Sequence, residues 1–448
     1  MSIPAPTPPR PSTRSIAWIV IVSAFAAITS SLVLVLLVVP GARENVISAA
    51  VLFAFAAGGV LLGVLSARRS DQPQRWALMA AGWLALAGTL LLIWPGVVAT
   101  AAIAWVAPVL LFALVVWMTL RVRRELHSPV RAWLVYPCFA VVAGAALGAM
   151  YETVQESREL RAFPMPGQLF DVGGGRRMYL RCEGSGGPTV VLAQGYGESS
   201  ATWGLIVPDV ARETRVCVFD RAGRGWSDPA PSQQDGMAIA TDLRALLSSA
   251  HEAPPYVLAG HSFGGLYVRA FAARYPDETA GVVLLDSTDP RQFTLPWYPR
   301  FYSRFRRVSA LFPSLARFGV ARLAYRHAFD SLPSESGAEE RLFWSTARMA
   351  RSQRDEFAAA PTAMQQAGTL VTLGNRPLMV VTALAEAGEG WTALQDELPQ
   401  LSTNSSHWSL PTATHASLNT QRTEAAFSIQ AIREVVAAVR TSKPLPRH

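Results

Sequence analysis

Lysine is almost missing from this sequence: Lys443 is the only one among 448 residues, so arginine supplies nearly all of the positive charge. Charged residues of both signs make up only 16% of the chain, against roughly 25% in soluble domains. The formal net charge of +8 could suggest a nucleic-acid partner. The arginines are scattered or flank apolar runs, however, which argues against a nucleic-acid surface. The low charge instead predicts a membrane part joined to a soluble part.

Cysteine is also scarce. The chain has three cysteines, Cys138, Cys182 and Cys217, and their spacing matches no zinc or redox motif. The cysteines therefore predict no zinc or redox site, and no metal or organic cofactor is expected.

Acidic residues and histidine are absent from five long apolar runs near the start of the chain, at 16–39, 46–65, 76–94, 98–120 and 132–150. Each approaches or exceeds the roughly 20 residues that a helix needs to cross a bilayer. A cleaved signal peptide is the alternative for the first run, but its length favours a retained helix. Residues 1–150 are thus predicted to form an all-α bundle of five transmembrane helices that serves as an anchor, since a proton path would need ionisable groups.

Arginine placement predicts the orientation of this bundle. Arginines precede the first run and fill the loops between the second and third and between the fourth and fifth runs, at Arg10, Arg14, Arg68, Arg69, Arg75, Arg121, Arg123, Arg124 and Arg131. The other loops hold only Arg43. Because positive loops stay in the cytoplasm, the N-terminus is predicted inside and everything after residue 150 outside.

The remainder of the chain alternates between short apolar strands and helical patterns. A polar linker is predicted at 151–166, an α/β domain at 167–440 and a frayed tail at 441–448. Residues 287–376 interrupt the alternation with aromatic, basic and helical sequence. We expect this insertion to form a helical cap.

One motif organises the α/β domain. An apolar run at 256–259 leads into Gly260-His261-Ser262-Phe263-Gly264, and a helical pattern follows at once. A strand, a glycine-flanked serine and a helix form a nucleophile elbow, in which the tight turn exposes the serine hydroxyl. Ser262 is therefore the predicted nucleophile.

This order resembles the α/β-hydrolase superfamily over residues 167–440. The resemblance rests on the elbow at 260–265, the stretch Asp-Arg-Ala-Gly-Arg-Gly-Trp-Ser at 220–227, Gln-Gly-Tyr-Gly at 194–197 and the late His415. It extends to a bacterial subgroup with a membrane-helical extension. One departure is Gln194, where many members have histidine. A serine at the elbow argues against the haloalkane dehalogenase and epoxide hydrolase members.

A serine hydroxyl needs a neighbouring base, and the chain has seven histidines. In the superfamily the histidine follows the last strand, a place that His415 fits, while His407 lies within the strand. His261 adjoins the nucleophile, and its ring is expected to point away. The backbone N–H groups of Phe263 and Tyr196 are the predicted oxyanion donors.

The acid that orients His415 has two candidates. Asp286 directly ends the apolar strand after the elbow, while Glu386 lies in a loop after the next strand, with Glu389 close by. Most superfamily members place the acid at the Glu386 position, and some place it at the Asp286 position. The fixed position of Asp286 favours it, and Glu386 remains the alternative.

The resemblance implies a serine hydrolase that cleaves carboxylic esters, including lipid esters, through an acyl-enzyme. A proline iminopeptidase-like amide hydrolase and a non-catalytic module with the same fold are the alternatives. The superfamily sheet also places Cys182 and Cys217 on neighbouring strands, so they form either a disulfide or two buried thiols. Finally, the start of the cap mixes aromatic residues with Arg304, Arg306 and Arg307, which suits either a membrane interface or ordinary core packing.

Overall fold

The computed structural model describes residues 13–40, 42–94, 97–230 and 234–446. Arg10, whose charge enters the predicted orientation, and the last two residues of the predicted tail lie outside these ranges. The chain divides into two compact units, Met1–Ser157 with Arg307–Gly319, and Arg158–Arg306 with Val320–His448. Each unit is described by itself.

The first unit is built from long apolar helices. In the part of the chain that the structure describes, five helices are long and apolar enough to cross a membrane, which confirms the predicted number. They are α1 Thr13–Val33, α2 Glu44–Arg69, α3 Trp76–Ile93, α4 Val97–Glu125 and α5 Tyr136–Ala162. Short π-helical segments, Leu34–Val38 and Arg131–Val135, follow α1 and precede α5.

The linker predicted at 151–166 is wrong over most of its length, because α5 continues without a break to Ala162. The polar residues after the apolar run include several glutamate, glutamine and arginine residues, which are good helix formers. Pro164 and Pro166 follow the end of the helix, where the missing N–H of proline opposes further helix. The sequence change marks a switch from apolar to polar helix rather than the end of the helix.

The second unit contains one eight-stranded sheet, in the order β1-β2-β4-β3-β5-β6-β7-β8. The β1–β2 and β2–β4 pairs are antiparallel, and the pairs from β4 through β8 are parallel. The strands are β1 Gln168–Asp171, β2 Arg177–Glu183, β3 Val190–Ala193, β4 Val216–Phe219, β5 Tyr256–His261, β6 Thr279–Leu285, β7 Leu378–Ala383 and β8 Ser405–Leu410, and β5 includes the apolar run predicted at 256–259.

Helices cover both faces of this sheet. The central strands are continuous apolar runs because each face buries side chains: Val190 and Leu192 face one core, and Val191 and Ala193 face the other. The remaining helices are α6 Val207–Val210, α7 Gly236–Ser249, α8 Phe263–Arg274, α9 Tyr298–Ser309, α10 Phe312–Arg317, α11 Val320–Ala324, α12 Ser334–Trp344, α13 Ala347–Ala367, α14 Trp391–Glu397, α15 Ser417–Thr420 and α16 Arg422–Thr441. Helix α16 packs on the first core, and α7 and α8 pack on the second.

The predicted cap is helical, since α9 to α13 lie between β6 and β7 in the chain. Its middle part, Arg307–Gly319, does not belong to the second unit, in contrast to the predicted domain bounds. Within the first unit, Arg317 Nε lies 2.6 Å from Glu44 Oε1, and Ala310 packs with Val35 and Ile47. Apolar contacts and an ion pair therefore join this segment to the helices of the first unit.

Cys182 and Cys217 form a disulfide. They are direct register partners on the antiparallel strands β2 and β4, so the disulfide is confirmed over the pair of buried thiols. Closing a loop of 35 residues stabilises the fold by roughly 3–4 kcal/mol in the chain-entropy view.

The tail at 441–448 was predicted to be frayed, but the part of it around Leu445 is packed against the domain. Leu445 is 5% exposed and packs on the first core, and its N–H donates to Asn404 Oδ1 at 2.8 Å. An apolar side chain with a backbone partner is enough to hold this stretch against the domain.

Candidate active site

Ser262 lies at the sharp turn between β5 and α8, with φ 54° and ψ −124°. A residue with a side chain rarely adopts such a positive φ, and this conformation is typical of a strained nucleophile elbow. A Cβ at Gly264 would lie 2.0 Å from the Ala193 oxygen, and one at Gly260 would lie 2.5 Å from the Gly264 carbonyl carbon. The flanking glycines are thus required because neighbouring backbone occupies the space of a side chain.

The end of β6 is tied to the elbow by backbone hydrogen bonds. The Ser262 N–H donates to the Leu285 carbonyl at 3.1 Å, and the Thr288 N–H donates to the Ser262 carbonyl at 3.0 Å. Asp286, the residue after β6, is therefore held beside the nucleophile turn.

The structure brings Asp286 and His415 together. Asp286 is 3% exposed, and its Oδ2 lies 2.5 Å from His415 Nδ1. Its other oxygen, Oδ1, accepts the Ala383 N–H at 3.2 Å and the Trp391 indole N–H at 3.0 Å. Two fixed donors on one oxygen leave the other aimed at the imidazole. Nothing in the sequence pointed to Trp391 beyond its position after the glycines of the β7–α14 loop.

The other candidates lie elsewhere. Glu386 is exposed in the loop after β7. His407 lies on β8, where its Nε2 is 2.8 Å from Thr382 Oγ1, and burial lowers its pKa although Asp396 opposes the shift. Of the two acid candidates, the one hydrogen bonded to His415 is Asp286.

Both predicted oxyanion donors have a free N–H. Across the residues that the structure describes, neither the Tyr196 nor the Phe263 N–H donates to a protein group. The Ser262 carbonyl accepts the N–H groups of Gly265 and Thr288, each at 3.0 Å. Because the C=O and N–H of a planar trans peptide point in opposite directions, the Phe263 N–H faces away from these partners.

The loop with Tyr196 approaches the nucleophile closely. A Cβ at Gly195 would lie 3.1 Å from the Ser262 Cβ, so glycine permits this approach. The Gly195 N–H is not available to a substrate, since it donates to Glu198 Oε2 at 2.8 Å.

His261 and Glu198 form a pair that the sequence did not predict. The His261 ring is 2% exposed, with Nδ1 3.7 Å from Glu198 Oε2 and Nε2 2.8 Å from the His415 carbonyl oxygen. Burial opposes protonation of His261, but the adjacent carboxylate outweighs it, so the pKa of His261 is raised. The pKa of Glu198 is lowered, because contact with His261 outweighs the effect of burial. The ring thus holds the backbone of the residue that carries the predicted base.

A buried carboxyl group from the cap, that of Glu340, supports the chain just after Tyr196. Glu340 Oε1 accepts the Ser199 N–H at 3.0 Å, the Ser199 hydroxyl at 2.8 Å and the Thr202 hydroxyl at 2.6 Å. Its Oε2 is buried with no partner among the described residues. Burial raises the pKa of Glu340 to about 7, so the group is largely protonated below neutral pH.

The contribution of Glu340 to the free energy of unfolding should therefore fall as pH rises. The folded state keeps a proton on Glu340 up to pH of about 7, whereas the unfolded chain loses it near pH 4.5. Between these values the folded state binds more protons, so the free energy of unfolding decreases with pH, by roughly 3 kcal/mol in total. We expect Glu340→Gln to flatten the fall in melting temperature between pH 5 and 8.5, measured by thermal shift.

The matched control is Glu335→Gln, which changes an exposed side chain on the same helix. It should keep the wild-type slope. An unchanged slope in Glu340→Gln would show that Glu340 is already ionised in the folded protein.

Comparisons with known proteins agree with this fold. The family model described as the alpha/beta hydrolase fold matches residues 188–362. The second unit therefore has the α/β-hydrolase fold.

Individual relatives are distant. An uncharacterized protein of Schizosaccharomyces pombe is 29% identical over 277 residues, which are 54% of this chain and 50% of that protein. An uncharacterized protein of Bacillus subtilis is 35% identical over 104 residues, 23% of this chain and 41% of that protein. The chain thus spans about half or less of the length of these relatives.

Among solved structures, the Cif epoxide hydrolase from Acinetobacter nosocomialis is similar, with a TM-score of 0.51 and 14% identity. The match covers 63% of this chain and 96% of that structure. At this identity the likeness shows the α/β-hydrolase fold alone.

Proposed function

We propose that this protein is a membrane-anchored serine hydrolase that cleaves carboxylic esters through an acyl-enzyme. The observation that carries the proposal is the 2.5 Å contact between His415 Nδ1 and Asp286 Oδ2, in the same domain as the strained elbow at Ser262. The three side chains have the roles of nucleophile, base and orienting acid that acyl transfer needs. A serine in place of an aspartate at the elbow separates this chemistry from that of the epoxide hydrolases with which the fold is shared.

Acylation begins when Ser262 Oγ attacks the ester carbonyl and its proton passes to His415 Nε2. Asp286 keeps Nδ1 protonated and stabilises the imidazolium that forms. The N–H groups of Tyr196 and Phe263 donate to the oxyanion of the tetrahedral intermediate. The carbon–oxygen bond to the leaving group then breaks, and the alcohol takes the proton from His415.

Deacylation repeats these steps with water. His415 Nε2 takes a proton from the water while the water oxygen attacks the acyl carbon of the Ser262 ester. The acid leaves when the Ser262 oxygen recovers the proton. No step needs a metal or an organic cofactor.

Aromatic rings next to the oxyanion donors favour an apolar acyl group. Phe305 of α9 and Phe357 of α13 pack on Tyr196, with ring centroids 6.0 and 5.5 Å away. Phe357 also lies 6.4 Å from Phe263 in a stacked arrangement. These rings support lipophilic esters, among them lipid esters, over small polar ones.

The five apolar helices support a membrane anchor, and the arginine distribution supports a cytoplasmic N-terminus with the hydrolase domain outside. The disulfide between Cys182 and Cys217 agrees with that placement, since disulfides persist in oxidising compartments.

One labelling and turnover experiment tests this proposal. A fluorophosphonate probe that cannot cross membranes should label the full chain on intact cells, and the purified chain should hydrolyse an ester faster than the amide with the same acyl group. Ester turnover should rise with acyl length over short chains. Faster amide cleavage would favour the iminopeptidase-like alternative, and absence of any labelling would favour a non-catalytic module. Labelling only after permeabilisation would show that the domain lies on the cytoplasmic side, opposite to the proposed orientation.

A further inference from the structure

Arg221 holds the two carbonyl groups that precede the predicted oxyanion donor. Its side chain is 2% exposed. One guanidinium nitrogen donates to the Gln194 carbonyl at 2.7 Å, and the other donates to the Gly195 carbonyl at 2.8 Å.

These bonds set the direction of the Tyr196 N–H. The Gly195 carbonyl and the Tyr196 N–H belong to the same planar trans peptide, so they point in opposite directions. A carbonyl fixed on Arg221 turns the N–H away from Arg221. If this peptide rotated by half a turn, the carbonyl would take the place of the donor and would repel an oxyanion.

A carboxylate from the cap fixes Arg221 in turn. Glu356, on α13, is 4% exposed, and its Oε1 lies 2.8 Å from an Arg221 nitrogen and accepts the Tyr267 hydroxyl at 2.6 Å. Its Oε2 is paired with Arg224 and accepts the Gly197 N–H at 3.2 Å. Burying charges is costly unless each is paired, so removing Glu356 would leave two buried arginines without their common partner.

The network therefore connects four parts of the domain. Arg221 and Arg224 come from the segment after β4, Gly197 from the predicted oxyanion loop, Tyr267 from the helix after Ser262, and Glu356 from the cap. Gln353, also on α13, donates to the Gly197 carbonyl at 3.1 Å. Both sides of Tyr196 along the chain are thus held by this network.

We propose that Arg221 and Glu356 are positioning residues that keep the Tyr196 N–H directed at the oxyanion. The proposal rests on the acyl-enzyme chemistry proposed for Ser262. Neither side chain contacts the substrate, and both act through the orientation of one peptide group. In this proposal the cap contributes to catalysis through Glu356.

Arg221→Lys tests the proposal, because a lysine keeps the charge but lacks the planar fork that spans two carbonyls. Losing one oxyanion donor costs on the order of 10²–10³ in kcat in other enzymes. We expect a fall in kcat of about that size with KM changed less than about threefold, and a matching loss in affinity for a trifluoromethyl ketone that forms an oxyanion on the enzyme. Glu356→Gln should lower the same two quantities in the same direction.

The matched control is Arg176→Lys, which perturbs a bidentate pair with Asp242 elsewhere in the domain. It should leave kcat and ketone affinity within about threefold. If Arg221→Lys and Glu356→Gln lower the melting temperature but keep kcat and ketone affinity, the network is only structural. Should Arg221→Lys fail to fold, Glu356→Gln decides between these outcomes. Wild-type protein that is not labelled by fluorophosphonate would instead refute the proposed function itself.

Discussion

Ser262→Ala is expected to abolish ester hydrolysis, with kcat reduced by about 10⁶, the loss seen when the serine of another triad enzyme is removed. Alanine supplies no oxygen to form the acyl-enzyme. The helix and strand around the turn should survive, because the positive φ of 54° at this position is a property of the backbone and a methyl group is smaller than the hydroxymethyl group.

Turnover of a chromogenic ester and fluorophosphonate labelling measure this effect in the purified full-length chain. Ser409→Ala is the matched control, because Ser409 is exposed on β8, and it should keep full activity and labelling. Turnover that persists in folded Ser262→Ala protein would rule out the acyl-enzyme mechanism.

Asp286→Asn should reduce kcat by about 10⁴, as the same change does in a serine protease triad. Aspartate offers two acceptor oxygens, one to His415 and one shared by Ala383 and Trp391. Asparagine has a single acceptor oxygen, so its NH₂ group must face either the histidine or the two donors. In the first case Nδ1 loses its acceptor and the imidazole takes the wrong tautomer.

Glu386→Gln is the comparison for this change and should keep kcat within about twofold, since Glu386 is exposed in the loop after β7. If Glu386→Gln were inactive while Asp286→Asn stayed active, Glu386 would be the acid that orients His415.

The alternation of strands and helices along the second unit was predictable, because the strands are short apolar runs bounded by glycine or polar residues. The elbow was predictable for the same reason, since strand, glycine, serine and helix follow one another directly in the chain. The choice between Asp286 and Glu386 was harder. It depends on a backbone bend with φ 40° at Asp286 and on the length of the β8 loop, and neither has a residue pattern.

Contacts between distant parts of the chain were not predictable. His261 meets Glu198, and Arg221 meets Glu356, only after the sheet and the cap are assembled. Each of these residues taken alone resembles an ordinary polar residue near a turn. The predicted linker was wrong because polarity indicates departure from an apolar environment but does not decide between helix and loop.

The first unit includes Arg307–Gly319, a segment that lies within the cap sequence of the second unit. No single cut can therefore separate them. A fragment that starts at residue 158 carries this stretch without Glu44, the ion-pair partner of Arg317, and without the helices that bury Ala310. To express the second unit by itself, residues 307–319 would have to be replaced by a short polar linker that joins Arg306 to Val320.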